Sequence, residues 1–110
     1  MRDEIKKLLL DISESIAGIE SHIGDNRNFF IYRENRTVRK AVERELEIIG
    51  EAINRILKME PEINISKARS IVDMRNRVIH AYDSINDTIV WKIATVDIPL
   101  LKIEIEQLLK

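Results

Sequence analysis

The sequence predicts an all-α fold, an up-and-down four-helix bundle in one domain spanning residues 1–110. Three observations carry that expectation. The length of 110 residues fits one compact domain. Isoleucine and leucine dominate a 45% hydrophobic share, while aromatics supply 5%, and Gly 3 and Pro 2 leave few interruptions. Most apolar residues recur at intervals of three and four, the repeat of a helix with one buried face.

The first helix covers about residues 2–23. Ile5, Leu8, Leu9, Ile12, Ile16, Ile19 and Ile23 form its stripe, and Gly24-Asp25-Asn26 ends it with turn-forming residues. Phe29, Phe30, Ile31 and Tyr32 then make a short apolar cluster expected to pack across the bundle. The second helix runs from about Thr37 to Met59 and is stopped by Pro61. Its stripe is Val38, Ala41, Val42, Leu46, Ile49, Ala52, Ile53, Ile56 and Leu57. Gly50 interrupts that helix at a cost of up to about 1 kcal/mol relative to alanine, which suits the close approach of a neighbouring helix. Ser66 is the expected N-cap of a third helix over about 67–80. Asn86 or Asp87 is expected to cap the fourth, which reaches about Leu109, with Pro99 predicting a kink near Val96–Ile98.

Composition narrows the function classes. A net charge of -1 supplies no global field for nucleic acid, so any such binding needs a local patch or an assembly. The absence of cysteine removes disulfides and thiolate metal sites and is compatible with a reducing compartment. No apolar run approaches the roughly 18–20 residues of a membrane span. The opening Met1-Arg2-Asp3-Glu4-Ile5 lacks the uncharged core of a signal peptide, so a cytoplasmic location is expected. Two distant histidines, His22 and His80, form no zinc-binding spacing, and no Gly-rich phosphate loop or nucleophile elbow is present. Neither metal nor cofactor is expected.

The most informative stretch is Arg75-Asn76-Arg77-Val78-Ile79-His80-Ala81-Tyr82. At about 100° per residue, Ala68, Ile71, Val72, Val78 and Ile79 all fall within about 60° of Arg75. A guanidinium therefore stands at the centre of an apolar stripe, where it is costly unless paired or facing a wet cleft. The ordinary explanation is an arginine whose stem packs and whose head meets a carboxylate. Glu47 and Glu51, four residues apart on one face of the second helix, can pair with Arg75 or Arg77 or stay solvated, and a structural role is favoured over a functional one. His80 projects about 140° from Arg75, with Asn76, Asp73 and Arg69, so the two do not converge on a straight helix. They converge if the helix ends or bends at His80, or across a two-fold interface, where each motif meets its copy. As plain structure, His80 and Arg77 are cations near a helix C-terminus, favourable by about 0.3–1 kcal/mol. His22 reads as a surface or cap residue, and Trp91 as core.

The chain resembles the HEPN superfamily, and within it the HepT-like toxins encoded beside a minimal nucleotidyltransferase. Met1-Arg2-Asp3 opening a long helix is similar, as is the second-helix run Ala41-Val42-Glu43-Arg44-Glu45-Leu46-Glu47-Ile48-Ile49-Gly50-Glu51-Ala52. Met74 to Tyr82 looks like the defining R-x4-H-x-Y motif, and Ile89-Val90-Trp91 with Asp97-Ile98-Pro99-Leu100-Leu101 matches the last-helix pattern. The chain departs from the family at Asp73 and Ala81, where glycine is frequent, and lacks a tryptophan near Ser66.

The resemblance implies a metal-independent endoribonuclease acting as the toxin of a toxin–antitoxin pair, on RNA, as a two-fold homodimer with its motifs lining a cleft. Carried over by position, Arg75 and His80 are the catalytic pair, with Asn76 and Arg77 supporting the site or the substrate. Tyr82 is the residue to which a partner nucleotidyltransferase adds AMP, silencing the toxin. The competing expectation is a non-catalytic helical partner or substrate-binding module of such a nucleotidyltransferase.

Overall fold

The computed structural model describes residues 1–25, 27–80 and 87–110, with the backbone alone for 77–80. Among these residues every regular element is helical: α1 Asp3–Ile23, α2 Phe29–Glu34, α3 Arg36–Met59, α4 Ala68–His80, α5 Asp87–Lys92 and α6 Ile98–Leu108. A π-helical turn, Ile93–Asp97, joins α5 to α6.

Helix α1 has no side-chain cap at Arg2, but Asp3 and Glu4 place negative charge at its positive end. It ends at Gly24, whose φ of 72° is cheap only for glycine and whose N–H reaches the Glu20 carbonyl at 2.9 Å. The short α2, taken from sequence as an apolar cluster, is a helix because Asn28 caps it. The Asn28 side chain accepts from the N–H groups of Phe30 at 2.9 Å and Ile31 at 3.3 Å. Its cluster divides: Tyr32 is buried and Phe29 half-buried, but Phe30 and Ile31 are exposed. Asn35 repeats the device one element on, accepting from Val38 N–H at 3.1 Å to start α3.

The apolar stripes form one core. Leu9, Ile12, Leu46, Ile49, Ile53 and Ile56 are all fully buried, along with Ile98, Leu101 and Ile105 of α6. Truncating any of the first six to alanine costs about 2–5 kcal/mol. Helix α1 packs on α3 and α6, and α3 packs on α4. His22 near the end of α1 lies 3.9 Å from Glu45 in the first half of α3, so the two helices run antiparallel.

Between α3 and α4 the chain turns tightly through the N–H bonds Ile63 to Glu60, Ile65 to Ile63 and Ala68 to Ile65, which sends α4 back along α3. Ser66 is not the cap expected of it. The first helical bond of α4 runs from Ile71 N–H to the Lys67 carbonyl. Ser66 instead donates its N–H and hydroxyl to the Glu104 carboxylate at 2.9 and 3.3 Å, because an ionised acceptor is the stronger partner. Of the two expected caps of the last helix, Asn86 lies outside the described residues and Asp87 is the first residue of α5.

Pro99 has no N–H and its ring crowds the carbonyl four residues earlier. The structure accommodates it upstream by widening the turn: the Ile98 N–H reaches back five residues to Ile93, and the Thr95 hydroxyl donates to the Trp91 carbonyl at 2.7 Å. No described helix is long and apolar enough to cross a membrane.

Candidate active site

The site begins at Gly50, in the middle of α3. A Cβ added there would land on the Cβ and Cγ of Arg75. Glycine thus lets α4 approach closely enough for the Arg75 stem to lie on the α3 backbone, the close approach expected of a mid-helix glycine. The flanking residues Ile71, Val72 and Met74 are buried. Arg75 therefore holds the place in the apolar stripe that its angular position predicts, with its side chain 24% exposed.

Its head is met by a carboxylate. Arg75 Nη2 lies 2.6 Å from Glu51 Oε2, one residue beyond the glycine. Such a bond is worth about 1 kcal/mol net once the half-exposed Glu51 is discounted for solvent screening. Arg75 Nη1 donates to Asn76 Oδ1 at 2.8 Å. Because a guanidinium only donates, this contact fixes the Asn76 oxygen toward Arg75 and leaves its amide N–H groups facing away. Arg75 Nε is buried and has no hydrogen-bond partner among the described residues. Glu47, the other carboxylate considered for Arg75, pairs with Arg44 at 3.1 Å.

Arg75 opens onto a groove of about 250 Å³ along the outer side of α3. Asp11 of α1 and Arg44, Glu47, Glu51 and Arg55 of α3 contribute its polar lining. Three cations, Arg75 among them, and three carboxylates balance there.

The structure brings together Arg75 and Asn76 of the expected site. His80 closes α4, but its side chain, like that of Arg77, lies outside the described residues, and so does Tyr82.

A second polar group was not anticipated from sequence. Tyr32 and Glu43 are both buried, 3% and 5% exposed, at the end of the bundle where α3 begins. Burial, then the charges of Glu43 and Asp87, push the Tyr32 phenol well above its ordinary value, with Arg39 opposing. Arg39 reaches Asp87 at 3.9 Å and ties α3 to α5. The Trp91 ring lies 5.0 Å from that of Tyr32, tilted by 43°, and packs half-buried against the core. His22 is a partly exposed helix-end residue, as expected.

Comparison with known proteins decides the family. The model of the family "Ribonuclease HepT-like" matches residues 12–108. This chain belongs to the HepT-like ribonuclease family. It is 36% identical to the "Probable ribonuclease HepT" of Thermococcus cleftensis over 114 aligned positions, covering 100% of both chains. It is 38% identical to the "Putative RNase MJ1380" of Methanocaldococcus jannaschii, covering 94% of each chain. With the "Putative RNase MJ1216" of the same organism it shares 32%, covering 97% of this chain and 88% of that one. No solved structure matches the chain. The R-x4-H-x-Y stretch lies within the matched residues, and Arg75 is its first described group.

Proposed function

We propose that this HepT-like chain is a metal-independent endoribonuclease that cleaves RNA by attack of the 2′-hydroxyl on the adjacent phosphorus. The observation that carries this reading is Arg75: a guanidinium seated on Gly50, held by Glu51 and Asn76, and opening onto a groove.

RNA brings its own nucleophile, so the protein needs only to grip the phosphate and move protons. The bond from O2′ to phosphorus forms as the bond from phosphorus to O5′ breaks, leaving a 2′,3′-cyclic phosphate and a 5′-hydroxyl. Arg75 stabilises the charge that builds on the non-bridging oxygens. To do so it uses the second N–H of Nη1 and of Nη2, which the contacts to Asn76 and Glu51 leave over, while Glu51 keeps its hold. His80, whose class titrates near pH 6.5, serves as the general acid or base. Asn76, whose amide N–H groups face away from Arg75, and Arg77 help hold the substrate.

The site is completed in a two-fold homodimer, where each motif meets its copy, and the protein acts in the cytoplasm as the toxin of a toxin–antitoxin pair. A partner nucleotidyltransferase silences it by adding AMP to Tyr82, placing bulk and negative charge beside the cleft so that RNA phosphates are repelled.

RNA incubated with the purified protein and a chelator tests the core of this reading. Cleavage should survive chelation and vanish in both Arg75→Ala and His80→Ala. A folded, unmodified dimer that cuts no RNA would overturn it and leave the non-catalytic partner of a nucleotidyltransferase in its place. Co-expression with the partner should add the mass of AMP, and Tyr82→Phe should abolish the increment.

A further inference from the structure

Between Arg27 and Lys40 lie five basic residues, Arg27, Arg33, Arg36, Arg39 and Lys40, against one acidic, Glu34, in a chain whose net charge is -1. Arg39 is turned inward to Asp87, but the other four are exposed. Arg27 and Arg36 make no ion pair among the described residues, the largely solvated contact of Arg33 with Glu34 at 3.5 Å is worth little, and Lys40 reaches the buried Glu43 at 3.5 Å. This is a concentrated positive patch on a nearly neutral protein.

An exposed ring stands inside the patch. Phe30 is 65% exposed, and the Arg33 guanidinium carbon lies 5.3 Å from its centroid. The ring is held rather than loose: Phe30 meets Phe29 edge-on at 5.9 Å, and Phe29 meets Trp91 at 6.0 Å. An anchored aromatic face beside a guanidinium is the platform on which unpaired bases stack. From there Arg36, Lys40 and Arg44 recur every four residues on exposed positions of α3, each step advancing about 6 Å along the axis. The stripe ends at Arg44, which lines the groove that holds Arg75.

We propose that this face is a single-stranded RNA subsite: Phe30 and Arg33 stack a base, and Arg36 and Lys40 carry the phosphates of the same strand toward the Arg75 groove. The proposal rests on the ribonuclease reading for its link to cleavage. Apolar exposure alone would equally suit a protein partner. The excess of positive charge in the stretch that carries the ring, with Arg27 and Arg36 left without an ion pair among the described residues, favours a polyanion with accessible bases.

Fluorescence anisotropy with a labelled single-stranded RNA oligonucleotide, over a series of salt concentrations, tests it without relying on cleavage. Phe30→Ala should weaken binding about tenfold, and Phe30→Trp should restore it. Arg36→Gln should reduce the slope of log affinity against log salt by about 0.7. A duplex RNA of the same sequence should be insensitive to Phe30→Ala. Unchanged affinity and slope in both variants, or no binding by the unaltered protein, would overturn the subsite. So would a change in self-association, with RNA affinity untouched, in Phe30→Ala. RNA bound through this face but never cut would instead remove the ribonuclease reading alone. Cleavage with an unaltered KM in both variants would remove the subsite alone.

Discussion

Arg75 lies directly on Gly50, its Cβ and Cγ filling the space where any other residue of α3 would place a side chain. This contact sets both the spacing of α3 and α4 and the position of the guanidinium that the proposed chemistry needs.

Gly50→Ala should therefore destabilise the fold, against the helix-propensity gain of up to about 1 kcal/mol. Two helices must separate or shift, an overpacking cost of about 1–3 kcal/mol. Urea unfolding measures it, and a variant as stable as the parent would mean that the contact yields without cost.

Arg75→Lys keeps the charge but loses the planar fork and the contacts to Glu51 and Asn76 together. Its turnover on RNA should fall by about 10²–10³-fold, the usual loss of one transition-state donor, with the melting temperature little changed. Single-turnover cleavage beside a thermal melt checks this. Near-parental turnover would show that charge alone suffices.

In the proposed mechanism Glu51 acts through Arg75, as a positioning residue. Glu51→Ala should lower kcat about tenfold with little effect on KM, and Glu51→Gln, which keeps an acceptor for Nη2, should recover most of the loss. Steady-state kinetics separates the two parameters. Equal losses in both variants would assign the carboxylate a proton-transfer task.

Tyr32 makes stability fall in alkali. Its folded-state phenol titrates above the ordinary value of 10.0, so the unfolded chain releases the proton first as pH rises. The native state is then disfavoured progressively above about pH 10, by roughly 1 kcal/mol at pH 11, and unaffected below that window. Tyr32→Phe removes this component and also a buried hydroxyl that has no hydrogen-bond partner among the described residues. Urea unfolding at pH 8 and pH 11 should show the variant losing less than the parent. Equal losses would place the phenol's titration outside the unfolding equilibrium.

Much of this is legible in the sequence. The stripes of α1 and α3 read directly, because long amphipathic helices repeat their burial pattern many times. Arg75 could be placed by angle for the same reason, and Gly50 flagged as a site of close approach. That Glu51 rather than Glu47 meets Arg75 could not be read, since both share a helix face and only the height of α4 along α3 separates them. The Ser66 cap failed because an acid 38 residues away offered its N–H and hydroxyl a stronger partner. Helix α2 went unrecognised because six residues carry too few turns to show a period, although Asn28 and Asn35 were present as caps. The buried group of Tyr32, Glu43 and Asp87 depends on which helices meet at one end, a property no local pattern encodes.

The π-helical turn before Pro99 has a consequence for how this chain tolerates change. A turn whose bonds span five residues holds one residue more than an α-helical turn of the same length. The last helix thus carries a spare residue at Ile93–Asp97, the one stretch of the described helices where a single deletion could be absorbed by tightening the coil. The same deletion within α3 would rotate everything beyond it by about 100° and carry Gly50 or Glu51 away from Arg75.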